Sequence, residues 1–294
     1  MAARPDLLAT CWTSAGDAAP GRGDEVSPVP LRERIEACAE VGWTGFGMLH
    51  ADLEFALRSV DLAYLRGVFE DCEITCVELE FLGDWWTEGE RRRESDRHRA
   101  LLLRAAEALG AGAIKVGGEL GAEPVDPDRF KAEFDRLATE AAEAGTRIAI
   151  EPMPMSNLTT IAAGAELVRE VGNSAGGLCV DVWHVARAGT PYEQLRDCLP
   201  IEQTFVVELD DASAAIDPRG LWEDTIDRRL LPGEGDLDVV GFVGAMETLG
   251  WSGHWGVEVI SAEHRRRGCV DGLRAAYRAT HRVLESAAVT RSTQ

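Results

Sequence analysis

The sequence predicts one α/β domain closed into an eight-stranded (β/α)8 TIM barrel. Three observations predict it. The 294 residues carry no linker or low-complexity tract. Short apolar runs alternate with amphipathic stretches along the whole chain. In the C-terminal half, four consecutive apolar runs each close on an acidic residue, as the strands of an active-site barrel do.

Taken in order, the strands are expected at Leu7–Trp12, Thr44–Leu49, Ile74–Phe81, Ala113–Gly117, Arg147–Glu151, Gly177–Asp181, Thr204–Glu208 and Trp255–Ile260. Helical periodicity covers Leu31–Val41, Arg92–Leu109, Asp128–Ala144, Ile161–Val171, Val239–Leu249 and Cys269–Glu285. Gly42, Gly110, Gly145, Gly172 and Gly250 each follow a helical run, where a left-handed residue ends a helix. Asp126-Pro127 reads as a helix start, and Thr190-Pro191-Tyr192-Glu193 as a capping box. A doubly wound open sheet is the alternative, but no GxGxxG fingerprint follows the first run. The domain is expected over residues 1–294, with 288–294 as a frayed tail.

The formal net charge of −21 repels phosphate backbones and anionic lipid, so neither nucleic acid nor a membrane is an expected partner. No apolar run has the length of a membrane span. Met1 to Asp6 does not open a secretion signal. The seven cysteines are scattered without a CxxC pair, which suits reduced thiols and a cytoplasmic protein.

Active sites of such barrels lie at the C-terminal strand ends. The four acidic closures are Ile150-Glu151, Val180-Asp181, Val207-Glu208 and Val257-Glu258. The apolar member of each pair should face the helices, so alternation turns each carboxylate toward the barrel axis. Four converging acids repel one another, and one divalent cation is the simplest compensation. Oxygen ligands favour a hard ion, Mn²⁺ or Mg²⁺. Arginines at the rim would be the alternative balance.

His184 follows Asp181 by three residues and is placed to meet the metal or the substrate; a purely structural loop histidine is the plainer reading. His50 follows the second strand and can line the mouth. Glu78 and Glu80 share the inward face of strand three, with Glu80 nearer the mouth and Phe81 on the outward face. Trp85 and Trp86 follow, as a wall for a sugar face or an aglycone, or as a local apolar staple. Lys115, one of two lysines, sits near the end of strand four. Pointing inward it would meet the carboxylates, as acid, base, electrostatic stabiliser or structural ion pair. Arg228 and Arg229 open the glycine-rich stretch before helix 239–249. There they can bind a substrate oxygen, neutralise the acids or stay solvated.

Ile150-Glu151-Pro152, Val180-Asp181-Val182-Trp183-His184, Pro232-Gly233-Glu234-Gly235 and Val257-Glu258-Val259 together span the C-terminal half. In order and spacing they resemble the xylose isomerase-like barrel superfamily of sugar phosphate isomerases and epimerases. The resemblance implies one divalent metal held by Glu151, Asp181, Glu208 and Glu258. Strand seven departs from it, because many relatives carry His or Gln where Glu208 stands. It implies an isomerase or epimerase acting on a keto sugar or cyclitol by proton abstraction next to a metal-polarised carbonyl, with enediolate chemistry. Glu151 and Glu258 would serve as ligands and acid/base groups, with His184 and Lys115 beside them.

The superfamily also holds lyases, namely catalytic subunits of C-glycoside deglycosidases acting on 3-oxo-glucosides and inosose or 3-dehydroshikimate dehydratases. A barrel that binds a ligand without catalysis is the non-enzymatic reading. Its phosphodiester-cleaving endonucleases would need a basic groove and many histidines, which the charge of −21 and six histidines oppose. The expected partner is an unphosphorylated sugar, cyclitol or glycoside. A homo-oligomer or a small partner subunit is compatible with the chain.

Overall fold

The computed structural model describes residues 5–121 and 123–292. Eight parallel strands close into one barrel in chain order: β1 (Leu7–Ala9), β2 (Gly45–Leu49), β3 (Cys76–Leu82), β4 (Ala113–Gly117), β5 (Ile148–Glu151), β6 (Gly176–Asp181), β7 (Thr204–Leu209) and β8 (Trp255–Val257). β8 pairs with β1 and leaves no free edge. The open-sheet alternative is thereby excluded. Helices at Leu31–Val41, Leu62–Asp71, Gly89–Leu109, Pro127–Glu143, Ile161–Val171, Tyr192–Cys198, Val239–Leu249 and Cys269–Ser292 form the outer layer.

The local signals act as their chemistry dictates. Asp126 caps the Pro127–Glu143 helix by accepting from the backbone N–H groups of Asp128 and Arg129. Gly42 ends the first long helix with φ of 110°, a conformation that favours glycine. Thr190 forms no capping box: the next helix starts after Pro191 with no side-chain cap. β1 and β8 are shorter than expected. Cys11–Ser14 coils into a helical turn directly after β1, so Trp12 leaves the sheet. The last helix continues through Ser292, past the point where the sequence suggested fraying. The opening residues 1–4 and the final two lie outside the described residues.

Strand alternation sorts the core. Ile150, Val180, Val207 and Val257 join the large apolar layer between strands and helices. Ala113, Ala149, Cys179, Phe205 and Val206 pack together inside the barrel. Arg34, fully buried, ties its helix to the strand-end turns by donating to the Cys11 carbonyl and pairing with Asp52. Among the described residues, no helix is long and apolar enough to cross a membrane.

Glu78 is the exception to this economy. It is buried in the barrel interior, and its Oε2 has no hydrogen-bond partner among the described residues. Burial, reinforced by Glu80 and only partly offset by Lys115, pushes its carboxyl up to about 7. A raised carboxylate costs the folded state as the unfolded chain ionises, so stability should fall between pH 4.5 and about 7. Glu78→Gln removes that loss. Thermal melts should show the variant gaining on the wild type by about 3 kcal/mol more at pH 8 than at pH 4.5. An equal difference at both pH values would refute this account.

Candidate metal and active site

Glu151 and Asp181 end β5 and β6, Glu208 is the penultimate residue of β7, and Glu258 follows β8 directly. Asp181 stands opposite Glu208 in the ladder, and Glu208 opposite Gly256. All four carboxylates are buried, and one oxygen from each lies within 4.8 Å of the others. Glycine makes room for them. A Cβ on Gly256 would sit 2.9 Å from Glu208 Cγ, and one on Gly47 2.9 Å from Glu80 Oε1.

Two buried cations divide these acids. Lys115 Nζ lies 2.7 Å from Glu80 Oε2, 2.6 Å from Glu208 Oε1 and 3.1 Å from Glu258 Oε1. Burial alone would lower the ammonium, but Glu208, Glu258 and Glu80 together hold it well above the usual lysine value. Arg229 Nη1 reaches Asp181 Oδ2 at 2.5 Å and Glu258 Oε2 at 3.1 Å, and also pairs with Asp210. Its Nε and Nη2 donate to Thr225 Oγ1. Burial opposes ionisation of Asp181, yet Arg229 holds it below the ordinary aspartate value. Glu208 and Glu258 are pushed up by burial, which the cations offset only in part. Burial also keeps Cys179 a thiol, and its Sγ lies 3.2 Å from Glu208 Oε2.

His184, in the short helix Val182–Arg187 that follows β6, places Nε2 3.1 Å from Glu151 Oε1. That Glu151 oxygen has no other donor, and His184 Nδ1 is likewise unpartnered among the described residues. Glu78, Glu80, Glu151, Asp181, Glu208, Asp210 and Glu258 thus crowd one axis against Lys115 and Arg229. The excess of buried carboxylates over cations and their oxygen donors fit one divalent cation.

Above the carboxylates opens a cavity of about 530 Å³. Glu80, Glu151, Glu258, His184 and Arg229 reach its floor. Lys115 lies beneath, within the ion-pair cluster. His50 lines the wall, stacked on His98 at 4.0 Å between ring centroids. Burial and then His98 lower His50 to about 4. Trp86 lines the cavity, but Trp85 does not. The Trp85 indole N–H donates to the Gly117 carbonyl at 2.9 Å and its ring packs on Phe130, so it belongs to the core. Arg228 also turns away, toward Asp217 at 3.5 Å. Phe81, expected on the outward face, lines the cavity instead, because the β3–β4 register shifts between Leu79 and Leu82.

Sequence reading missed Asp210, Cys179, Trp12, Met153, Met155 and Trp222. Asp210 had a signal: it lies two residues past Glu208 and so shares its face. The glycine-rich stretch 232–236 wraps around Asp211, whose carboxylate accepts from the N–H groups of Gly233, Gly235, Leu237 and Ala212.

Residues 35–286 match the family model described as xylose isomerase-like TIM barrel. The chain is 27% identical over 257 residues to a 3-dehydroshikimate dehydratase of Pseudomonas putida, matching 83% of this chain and spanning 39% of that protein. It is 22% identical over 262 residues to an inosose isomerase of Bacillus velezensis, covering 86% of this chain and 92% of that one. Among solved structures, the IOLI protein with a bound zinc atom superposes with a TM-score of 0.81 at 20% identity, over 96% of this chain and 99% of its own.

The ion-pair geometry predicts the behaviour of Lys115→Met. Removing one partner of a buried charge cluster should destabilise the fold by about 3–5 kcal/mol. Added Mn²⁺ should raise the melting temperature of this variant more than that of the wild type, since the ion replaces lost positive charge. Equal shifts in both proteins would show that Lys115 and a metal do not balance the same acids.

Proposed function

The chain belongs to the xylose isomerase-like TIM-barrel family, and on that premise we propose that it is a divalent-metal-dependent sugar or cyclitol isomerase or epimerase. The observation that carries this reading is the convergence of Glu151, Asp181, Glu208 and Glu258 within 4.8 Å of one another, with Glu151 and Glu258 reaching the cavity floor and His184 against Glu151. These four residues would hold the ion, and their oxygen donors favour Mn²⁺ or Mg²⁺. When bound, such an ion supplies Lewis acidity to a substrate carbonyl.

The chain's own groups handle the proton. Glu151 or Glu258 removes it from the carbon beside the carbonyl, and the other returns it. Return to the opposite face of the same carbon gives epimerisation; return to the former carbonyl carbon, with the neighbouring hydroxyl's proton passing to the former carbonyl oxygen, gives isomerisation. His184 Nε2, 3.1 Å from Glu151, is the next stop for a proton on that carboxyl. Lys115 and Arg229 hold the floor carboxylates in place and stabilise charge without leaving their ion pairs. A dehydratase is the second reading, supported by the 27% identity to 3-dehydroshikimate dehydratase. The same abstraction then ends with expulsion of a neighbouring hydroxyl. The unpaired cysteines accord with a reducing compartment such as the cytoplasm. The charge of −21 favours a small-molecule substrate over nucleic acid.

The test is deuterium incorporation from solvent beside the carbonyl of a keto sugar or keto-inositol. Glu151→Gln and Glu258→Gln should each slow exchange by about 10²–10⁴ while keeping the circular dichroism of the wild type. Chelation with EDTA should abolish exchange and Mn²⁺ restore it. Undiminished exchange in both variants would remove these residues from the proton transfer.

A further inference from the structure

Both oxygens of Asp181 and both of Glu258 are already engaged by the protein itself. Asp181 Oδ1 accepts the Trp183 backbone N–H at 2.6 Å, and Asp181 Oδ2 lies 2.5 Å from Arg229 Nη1. Glu258 Oε1 lies 3.1 Å from Lys115 Nζ, and Glu258 Oε2 lies 3.1 Å from Arg229 Nη1. An ion that takes these carboxylates therefore competes with a resident cation, and a resident has to give way.

The two residents are not equally placed to do so. Arg229 lines the cavity and Lys115 does not, so Arg229 stands on the open side of the carboxylates. Lys115 would fall back on Glu80, where no oxygen is idle: Oε2 meets Lys115 and Oε1 accepts the Cys11 backbone N–H at 3.0 Å. Arg229 would fall back on Asp210, where one is. Asp210 is fully buried, its Oδ2 pairs with Arg229 Nη1, and its Oδ1 has no hydrogen-bond partner among the described residues. A buried carboxylate oxygen without a donor is costly, so this one favours any movement that brings it an N–H. Arg229 is also short of hydrogens: Nη1 carries two, and faces Asp181, Asp210 and Glu258. Its Nε and Nη2 donate to Thr225 Oγ1 at 3.1 and 2.9 Å, which anchors the other edge of the guanidinium.

We infer that Arg229 is a stand-in for the metal and that Asp210 is the residue it retreats to. An ion held by Asp181 and Glu258 turns Arg229 from those two carboxylates onto both oxygens of Asp210, with Thr225 as the anchor. The inference rests on the reading of the floor as a metal site. It adds that Asp210, no ligand in that reading, helps to set how tightly the ion is held, as a positioning residue acting through Arg229. The pair between Arg229 and Asp210 persists in both states, so the arginine never becomes an unpaired buried charge.

Calorimetry with Mn²⁺ alone, on protein stripped of metal, tests it. Asp210→Asn keeps the shape but removes the retreat, so Mn²⁺ should bind about tenfold more weakly than to the wild type. Arg229→Gln removes the competitor, so Mn²⁺ should bind about tenfold more tightly. Because Asp210 acts through Arg229, adding Asp210→Asn to Arg229→Gln should change the affinity by less than about threefold. A carboxylate that only adds negative charge near the ion would weaken binding equally in both backgrounds, and that result would overturn the proposal. So would an unchanged affinity in Asp210→Asn, or weaker binding in Arg229→Gln. A crystal structure of the Mn²⁺-loaded wild type decides the matter however the variants fold. Arg229 should lie within hydrogen-bond distance of both Asp210 oxygens and have left Asp181 Oδ2. Arg229 still bridging Asp181 and Glu258 beside a bound ion would refute the exchange. Wild-type protein that binds no Mn²⁺ would sink the metal site and the exchange together, whereas binding with Arg229 unmoved sinks the exchange alone.

Discussion

Lys115 places a buried ammonium among Glu80, Glu208 and Glu258, and the arrangement of the whole barrel mouth follows from that contact. Strand alternation delivers acids to the axis whether or not they can be tolerated there. A buried carboxylate without a partner would neutralise or unfold the site. Lys115 compensates from β4, below the floor, and Arg229 from the loop above it. The two cations meet at Glu258, which each of them contacts with a different oxygen. Glu80 carries the constraint outward, since its other oxygen accepts the backbone N–H of Cys11 at 3.0 Å. The turn after β1, the end of β3, β4, β7 and β8 are therefore registered on one charge. Buried ion pairs add little net stability, but each fixes the direction of an oxygen, which a metal or proton-transfer site requires.

Much of this was readable in the sequence because it depends on period alone. A strand repeats every two residues, so Val207-Glu208 and Val257-Glu258 declare which side faces the axis before any tertiary contact is known. For Lys115 the inward direction was the one that met the carboxylates, since an outward ammonium would be buried against a helix at high cost. What escaped depends on breaks in the period. Phe81 reaches the cavity through a register shift that no local pattern announces. Trp12 reaches it because β1 ends at Ala9 and coils at once. Trp85 and Trp86 are adjacent and chemically alike. Only the carbonyl of Gly117, 32 positions away, draws one of them into the core and leaves the other at the wall. Arg228 and Arg229 divide in the same manner, one toward Asp217 and one toward the floor. Neighbouring residues of one type carry no sequence signal for such a division, since it is decided by partners from distant segments.

Glu208 shows how a single exchange at strand seven alters the site. Its carboxylate meets Lys115 through one oxygen and the Cys179 thiol through the other. A neutral imidazole there would offer one acceptor nitrogen and could not receive both donors. The carboxylate, lysine and cysteine thus form one compatible set, and β4, β6 and β7 have to change together if any of them changes.

The glycine-rich loop closed on Asp211 carries its own anion. Backbone N–H groups gathered in a turn usually wait for an anion from outside, and the loop orders when the anion arrives. Here the anion is built in, and four N–H groups are already satisfied. The conformational entropy of ordering this segment is lost during folding rather than at each encounter with a ligand. None of residues 232–237 lines the cavity, so this standing loop braces the segment between β7 and the Val239–Leu249 helix rather than closing on a ligand.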